Sequence, residues 1–190
     1  RKFITLRQPT ENMKTITIKD KTFAVSIPEK EILRQVARVA NEINRDYEGE
    51  KPIFLAVLNG SFMFAADLLK EINLPCEIHF VKLASYAGTH TTGAVHEMIG
   101  LATDITNRPV IIVEDIVDTG TTMAHMLDTL WSHKPKSVEI CTLLLKPNSL
   151  KVNLDIRYCA LEIPNDFIVG YGLDYDGEGR NTRDIYTKTQ

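Results

Sequence analysis

Two adjacent carboxylates, Glu114 and Asp115, directly follow a run of four β-branched apolar residues at 110–113. Such a run is typical of a strand buried on both faces, where a charged group needs a partner or a task. The turn at 118–122 is small and rich in hydroxyl groups, and apolar residues then recur at helical spacing from Met123. A glycine turn before a helix offers free backbone N–H groups, which suit a phosphate.

Carboxylates beside a phosphate would repel it unless they hold a metal ion or sugar hydroxyls. The stretch 110–123 therefore indicates a ligand that carries a phosphate and a ribose diol, together with Mg²⁺. Other phosphate and nucleophile motifs are missing from the sequence. It has no Gly-x-Gly-x-x-Gly, no Gly-Lys-Ser/Thr loop, no Gly-x-Ser-x-Gly elbow and no His-Glu-x-x-His.

The flanking sequence predicts alternating strands and helices, which indicates an α/β protein with a parallel sheet. The predicted strands are 15–19, 53–58, 77–83, the run from 110, 138–145, 158–163 and 167–171. Ser26 to Glu29 resembles a capping box, so it predicts a helix that runs to about Tyr47. Further helices are predicted at 62–72, with Phe62, Ala65, Ala66, Leu69 and Ile72 as the apolar set, and from Met123 to about Trp131. Residues 85–97 break all periodicity, which predicts a functional lid or a disordered loop.

Polar residues follow most of the predicted strands. In a parallel sheet, ligands bind at the carboxyl ends of the strands, so these residues are expected to converge on one site. They are Asn59, Gly60, Ser85, Tyr86, Glu114, Asp115, Lys146 and Asp174.

Composition narrows the class of protein. A chain of 190 residues fits a single domain, expected at 13–190, with 1–12 as a tail or an added remnant. The net charge of −3 argues against broad electrostatic binding to nucleic acid or to anionic membranes. No apolar run is long enough for a membrane span, and no secretory signal is visible. Three widely spaced cysteines are expected to be reduced thiols of a cytoplasmic protein.

The stretch 110–123 resembles the phosphoribosyl-pyrophosphate motif of the type I phosphoribosyltransferases. Asp118 before Thr119-Gly120 is similar to the hypoxanthine-guanine enzymes of that family. The resemblance continues in the expected order from about Ile53 to Arg180. It implies a central, mostly parallel sheet flanked by helices, with a small hood from the chain ends. The implied reaction transfers 5-phosphoribose from phosphoribosyl pyrophosphate to hypoxanthine, and to guanine, with Mg²⁺ as cofactor and a dimeric or tetrameric enzyme.

The resemblance also implies roles on the phosphoribosyl side. Residues 118–122 would hold the 5′-phosphate, and Glu114 and Asp115 would bind the ribose hydroxyls, directly or through a metal ion. The residues implied for phosphoribosyl pyrophosphate are Asn59, Gly60, Ser85, Tyr86, Glu114, Asp115, Ile116, Val117, Asp118, Thr119, Gly120, Thr121, Thr122 and Arg180. Family members commonly have lysine or arginine at the position of Asn59, so only backbone contacts and an often cis peptide are expected there. Ser85 and Tyr86 would begin a mobile loop that closes over the site.

On the purine side, Asp118 matches the family's general base at N7, and Lys146 would donate to the 6-oxo group. Phe167 would stack on the base, and Ile168 would meet the edge of the base through its backbone. The implied metal ligands are Glu114, Asp115 and Asp174. Taken alone, Lys146 is equally typical of an exposed lysine at a strand end, and Phe167 and Ile168 are typical of core residues.

Two other functions stay open at this point. An enzyme for adenine or orotate would have the same fold, but such enzymes generally lack aspartate at the position of Asp118. A regulatory protein that senses phosphoribosyl pyrophosphate and binds RNA is the alternative from another class. The negative charge, together with Asp118, Lys146 and Asp174, speaks against this regulatory function.

Overall fold

The chain forms ten strands, three helices and one 3₁₀ turn in the computed structural model, which describes residues 14–86 and 95–189. In chain order the elements are β1 (Thr15–Ile18), β2 (Lys21–Ile27), α1 (Glu29–Asp46), β3 (Ile53–Leu58), α2 (Phe62–Glu71), β4 (Glu77–Tyr86), β5 (Val95–Ile99), β6 (Pro109–Val117), α3 (Thr121–Ser132), β7 (Ser137–Leu145), the 3₁₀ turn Pro147–Ser149, β8 (Tyr158–Glu162), β9 (Ile168–Val169) and β10 (Ile185–Lys188).

The larger sheet has six strands in the order β5-β4-β3-β6-β7-β8. Five of them are parallel, and β5 alone pairs antiparallel, against β4. The pairing of β3 with β6 ends at Ala56 and Val113, whereas β6 continues beside β7 as far as Val117. The two central strands therefore separate where the carboxylates begin, which opens a cleft. The predicted α/β class with a mostly parallel sheet is confirmed.

Helices cover both faces of this sheet because its strands are apolar on both sides. Phe54, Ala56, Ile111 and Val113 pack in one core with α1 and α2. The alternate residues of the same strands form a second core with Met123, Met126 and Leu130 of α3. A slip of one residue in β3 or β6 would exchange these two sets, so the two cores together fix the register of the central strands.

A smaller antiparallel sheet, in the order β1-β2-β10-β9, caps one end of the molecule. It joins the first two described strands to the last two, so the predicted hood from the chain ends is confirmed. The sequence prediction placed an edge strand at 15–19, which the structure has as β1. Strands β2 and β10 were not predicted, and of the strand predicted at 167–171 only Ile168–Val169 is extended.

The predicted capping box before α1 is wrong. Ser26 belongs to the buried end of β2, and its hydroxyl donates to the carbonyl of Ile185 at 3.2 Å. Pro28 is the N-cap residue and makes no side-chain cap bond. The cap comes from the other end of the chain, because the Asp184 carboxylate accepts the backbone N–H of Glu29 at 2.9 Å.

Two further predictions about elements need correction. The buried face of α2 carries Phe64, Ala65 and Leu68, whereas Phe62 is 42% exposed. The predicted aperiodic stretch 85–97 begins and ends in strands, since β4 reaches Tyr86 and β5 starts at Val95; residues 87–94 lie outside the described residues. Within the described part of the chain, none of the helices combines the length and the hydropathy that a membrane-spanning helix needs.

Candidate active site

A cleft of about 320 Å³ lies where the central strands separate, at the carboxyl ends of the parallel strands. It is lined by Val57, Leu58, Leu83, Glu114, Asp115, Ile116, Val117, Asp118, Thr119, Gly120, Thr122 and Met123. The structure thus brings most of the predicted phosphoribosyl residues together. Ile116 and Val117 reach the cleft because β6 runs through the acidic residues, whereas the sequence suggested that the strand ended before them.

The turn at 118–122 leads from β6 into α3. Gly120 is the N-cap residue of this helix and has φ = 79°, a conformation that favours glycine. A Cβ there would also lie 2.7 Å from Leu154 and 2.9 Å from Val152. The Thr119 hydroxyl lies 3.4 Å from that of Thr121, so both hydroxyls face the start of the helix. Free N–H groups, hydroxyls and the helix dipole together form an anion cradle without a basic side chain.

Glu114 and Asp115 lie side by side at one wall of the cleft. One oxygen of Asp115 accepts the backbone N–H of Ile116 at 2.8 Å. The other points at Gly60, where an added Cβ would come within 1.5 Å of it. Burial, followed by the hydrogen bond and charge of Asp115, raises the pKa of Glu114 well above its usual range. Two crowded carboxylates of this kind suit a divalent cation or a sugar diol.

Lys146 forms an ion pair with Asp118, one of the residues that line the cleft. Lys146 Nζ lies 3.0 Å from Asp118 Oδ2, and the lysine side chain is only 11% exposed while the aspartate is 47% exposed. The backbone N–H of Lys146 donates to the Val117 carbonyl at 3.0 Å, so the end of β7 is fixed beside the end of β6. A charged donor and a carboxylate acceptor therefore lie next to each other. The sequence predicted a role for each residue but not the contact between them.

Phe167 is the exposed aromatic ring of the hood. It is 46% exposed, whereas the sequence around it, taken without the resemblance, favoured a core position. Its ring centroid lies 6.1 Å from that of Phe23 and 5.7 Å from that of Tyr175, with Tyr175 edge-on to it. Ile168 is buried in β9, and its backbone pairs with Thr187 of β10. Sequence reasoning missed Phe23 and Tyr175 as supports of this ring; the aromatic residue directly after Asp174 was the available signal.

Asp174 and Arg180 contact each other, with Arg180 Nη2 at 2.7 Å from Asp174 Oδ1. The second oxygen of Asp174 accepts the backbone N–H of Gly177 at 2.7 Å. Arg180 Nη1 also donates to the Gly172 carbonyl at 2.8 Å. Both side chains predicted for metal and pyrophosphate binding are thus held in one local cluster. Among the described residues, no three Asp, Glu, His or Cys side chains converge on one point that could hold a metal ion.

The segment after β3 carries the predicted pyrophosphate loop. The peptide bond between Leu58 and Asn59 is cis, as expected from the resemblance. Asn59 is exposed, and Gly60 is buried against Gly172, whose added Cβ would lie 2.1 Å from the Gly60 carbonyl oxygen. The backbone at 85–86 belongs to β4 and pairs with β5, and the closing loop predicted beyond it lies outside the described residues.

The phosphoribosyl transferase domain family has a sequence model that matches residues 27–176, which include the whole cleft and every strand of the larger sheet. The chain belongs to this family. The resemblance identified from the motif at 110–123 is thereby confirmed, and it extends further toward the N-terminus than the residues that first carried it.

Among curated relatives of this family, the hypoxanthine phosphoribosyltransferase of Salmonella typhimurium is 40% identical over 157 residues, which is 81% of this chain and 88% of that protein. The hypoxanthine-guanine phosphoribosyltransferase of Mycobacterium bovis is 37% identical over 171 residues, covering 86% of this chain and 85% of its own. A crystal structure of a hypoxanthine-guanine phosphoribosyltransferase from Bacillus anthracis superposes with a TM-score of 0.80 at 40% identity and covers 86% of this chain and 96% of that one. These likenesses confirm the predicted fold.

Proposed function

We propose that this phosphoribosyltransferase transfers 5-phosphoribose from phosphoribosyl pyrophosphate to hypoxanthine and guanine, giving the nucleoside monophosphates and pyrophosphate. The observation that carries the proposal is the pair of Lys146 and Asp118, 3.0 Å apart beside the phosphate turn. A 6-oxopurine presents O6 next to N7 on one edge, whereas adenine presents an amino group in place of O6. A lysine donor next to a carboxylate acceptor matches O6 beside a protonated N7, and the same lysine opposes the amino group of adenine.

In the proposed reaction, the bond between C1′ of the sugar and the pyrophosphate oxygen breaks, and the bond from C1′ to N9 of the purine forms. Asp118 accepts the proton that leaves the base at N7, and Lys146 holds O6. As the leaving group departs, positive charge develops on the sugar, so the carboxylates of Glu114 and Asp115 also stabilise the transition state. Residues 118–122 keep the 5′-phosphate fixed while C1′ moves toward the base.

The donor set fits Mg²⁺, because burial, followed by the hydrogen bond and charge of Asp115, raises the pKa of Glu114, and a divalent cation beside the two carboxylates would favour their ionised forms. We assign Glu114, Asp115 and Asp174 to the metal. Mg²⁺ typically takes one or two carboxylates and completes its shell with phosphate oxygens and water, so ligands spread over two walls of a cleft are suitable. When bound, the ion would neutralise the charge of the leaving pyrophosphate.

The hood is proposed to bind the purine. Phe167 offers an exposed ring for stacking, with Phe23 and Tyr175 behind it. Ile168 would meet the edge of the base through its backbone, and Asp174 would act near the same edge. Asn59, Gly60 and Arg180 are proposed for the pyrophosphate, with Arg180 exchanging part of its contact with Asp174 for phosphate oxygens. Ser85 and Tyr86 are proposed to begin the loop that excludes water.

We further propose a cytoplasmic enzyme that forms a dimer or tetramer. Cys76, Cys141 and Cys159 form no disulfide in the described part of the chain, which supports a reducing compartment. The rings of Phe80 and Trp131, which are 47% and 50% exposed, are the first positions to examine for a contact between copies of the chain. Sedimentation of the purified protein would test the oligomeric state.

The experiment that tests the proposed function offers hypoxanthine, guanine, xanthine and adenine separately, each with phosphoribosyl pyrophosphate and Mg²⁺. Nucleotide formation from the 6-oxopurines and not from adenine is the expected result. Turnover of adenine at a comparable rate would contradict the role given to Lys146. A folded protein that forms no nucleotide but binds phosphoribosyl pyrophosphate would favour the regulatory alternative.

A further inference from the structure

Three consecutive residues of the hood, Gly170, Tyr171 and Gly172, have positive φ angles of 101°, 49° and 99°. Glycine adopts this region readily, but a tyrosine does so only where its surroundings compensate. The turn therefore needs an anchor, and Tyr171 is the one residue of the three with a side chain to supply it.

The anchor is a contact between Tyr171 and helix α2. The tyrosine is 1% exposed and packs in the core that α1 and α2 share with the central sheet. Its hydroxyl donates to Asp67 Oδ2 at 2.6 Å, and Lys70 holds the other oxygen of Asp67 at 2.7 Å. Burial and the hydrogen bond to Asp67 raise the pKa of Tyr171 far above its usual value, so the hydroxyl keeps its proton and remains a donor. The Tyr171 backbone N–H donates to the Thr182 carbonyl at 3.0 Å.

The turn fixed in this way contacts both the loop at 58–60 and Arg180. Gly172 packs so closely on Gly60 that a Cβ would lie 2.1 Å from the Gly60 carbonyl oxygen, and Gly60 in turn abuts Asp115. On its other side, the Gly172 backbone exchanges two hydrogen bonds with Arg180, one at 2.9 Å from its N–H to the Arg180 carbonyl and one at 2.8 Å from the guanidinium. A shift of this turn would therefore move the pyrophosphate loop relative to Arg180 and Asp174.

We propose that Tyr171, held by Asp67, is a positioning residue that sets the distance between the loop at 58–60 and the cluster of Asp174 and Arg180, and thereby the affinity for the pyrophosphate group. This inference rests on the proposed function, since it assigns a supporting residue to the same site. The proposed stacking ring has its own support, because Phe167 contacts Phe23 and Tyr175.

The first test compares Tyr171→Phe with Tyr158→Phe. The control is matched, since Tyr158 is also 1% exposed and donates its hydroxyl to a helix carboxylate, Asp46, at 3.0 Å, but it belongs to β8, an edge strand of the larger sheet that contributes no residue to the cleft. Loss of the Tyr171 hydroxyl leaves the Asp67 carboxylate without its buried donor, so KM for phosphoribosyl pyrophosphate should rise about tenfold. KM for hypoxanthine should stay within about twofold, and Tyr158→Phe should change neither value.

The second test uses Asp67 and does not depend on how well Tyr171→Phe folds. Asp67→Ala should reproduce the rise in KM, whereas Asp67→Asn, which keeps an acceptor oxygen, should restore most of the affinity. Because the two side chains act as a pair, KM for phosphoribosyl pyrophosphate in the double variant Tyr171→Phe with Asp67→Ala should rise about tenfold, far less than the product of the two single increases.

Calorimetric titration of each variant with magnesium pyrophosphate gives a readout that needs no turnover. A wild-type protein that forms no nucleotide from any base would defeat the proposed function, while this titration would still test the positioning role. Equal affinities for magnesium pyrophosphate in wild type, Tyr171→Phe and Asp67→Ala would overturn the inference. The same holds if Tyr158→Phe and Tyr171→Phe raise both KM values alike.

Discussion

Replacement of Lys146 by methionine tests the recognition of the 6-oxo group most directly. Methionine keeps most of the length and apolar stem of lysine but offers no donor. The ammonium group stands 3.0 Å from Asp118, and the side chain is 11% exposed, so little solvent is available to take its place beside the purine. In the variant, O6 of hypoxanthine would be buried without a partner.

The magnitude follows from the kind of hydrogen bond that is lost. A bond between a charged donor and a neutral acceptor contributes about 1.5–3 kcal/mol, and each 1.36 kcal/mol is about tenfold in rate. The value of kcat/KM for hypoxanthine should therefore fall about 10- to 150-fold. The value of kcat/KM for adenine should not fall, because its amino group no longer faces a cation. The preference for hypoxanthine over adenine, expressed as the ratio of the two kcat/KM values, should therefore decrease by at least the same factor.

The assay measures initial rates with each base at saturating phosphoribosyl pyrophosphate, for wild type, Lys146→Met and Lys30→Met. Lys30 is an exposed lysine of α1, far along the chain from the cleft, and its replacement should leave both values unchanged. An unchanged ratio between hypoxanthine and adenine in Lys146→Met would refute the assignment of this lysine to O6, even if the overall rate fell.

Three further substitutions separate the remaining roles. Asp118→Asn keeps the shape of the side chain but cannot take a proton, so kcat should fall by about 10²- to 10⁴-fold while calorimetry shows phosphoribosyl pyrophosphate bound as in wild type. Gly60→Ala would place a Cβ 1.5 Å from Asp115 Oδ2 and should weaken binding of phosphoribosyl pyrophosphate by more than about tenfold. Glu114→Gln should abolish most activity yet stabilise the fold by about 1–2 kcal/mol, seen as a rise in Tm of about 2–8 °C. Burial raises the pKa of Glu114 in the folded protein, so the wild type loses stability as the pH rises through this raised pKa and the buried carboxyl ionises. The stabilisation by Glu114→Gln should therefore be larger at pH 8 than at pH 4.

Each of these substitutions has its own contrary outcome. Unchanged turnover in Asp118→Asn would remove this residue from the mechanism. For Gly60→Ala the control is Gly49→Ala, where a Cβ meets nothing within 4 Å and only the φ of +80° resists the change, so Gly49→Ala should cost stability without affecting binding. A Tm for Glu114→Gln that is lower than wild type across the pH range would show that the ionised carboxylate stabilises the fold.

The sequence predicted the central layout because the signals there are local. The apolar run at 53–58 matches β3 residue for residue, and α3 begins at Thr121, two residues before its predicted start at Met123. Lys146 and Asp118 were separate predictions, 28 positions apart, and their contact depends on the pairing of Val117 with Leu145. Strand order in a sheet is a property of the whole fold, so sequence spacing could not supply that distance.

The misses share a physical cause, which is contact between residues far apart in the chain. The pattern from Ser26 to Glu29 satisfies the local rule for a capping box. In the structure, however, Ser26 belongs to β2, and the carboxylate of Asp184, far along the chain, caps the helix. Strand β10 is short and partly polar, and it becomes a strand because β2 and β9 lie on either side of it. Tyr171 and Asp67 are 104 positions apart, and no local pattern around either residue predicts the hydrogen bond between them.

The strand order of the hood has a consequence for synthesis on the ribosome. Strand β10, the last strand in the described part of the chain, lies between β2 and β9, so β9 has no hydrogen-bonded neighbour in this sheet until residues 185–188 have been synthesised. All strands of the larger sheet precede it, so the phosphate cleft can assemble on a nascent chain while β9, which directly follows Phe167, still lacks its partner strand. A stalled chain that ends before Ile185 should therefore bind the sugar phosphate but not retain the base. Strand β10 is thus the element that couples the phosphate cleft to the hood.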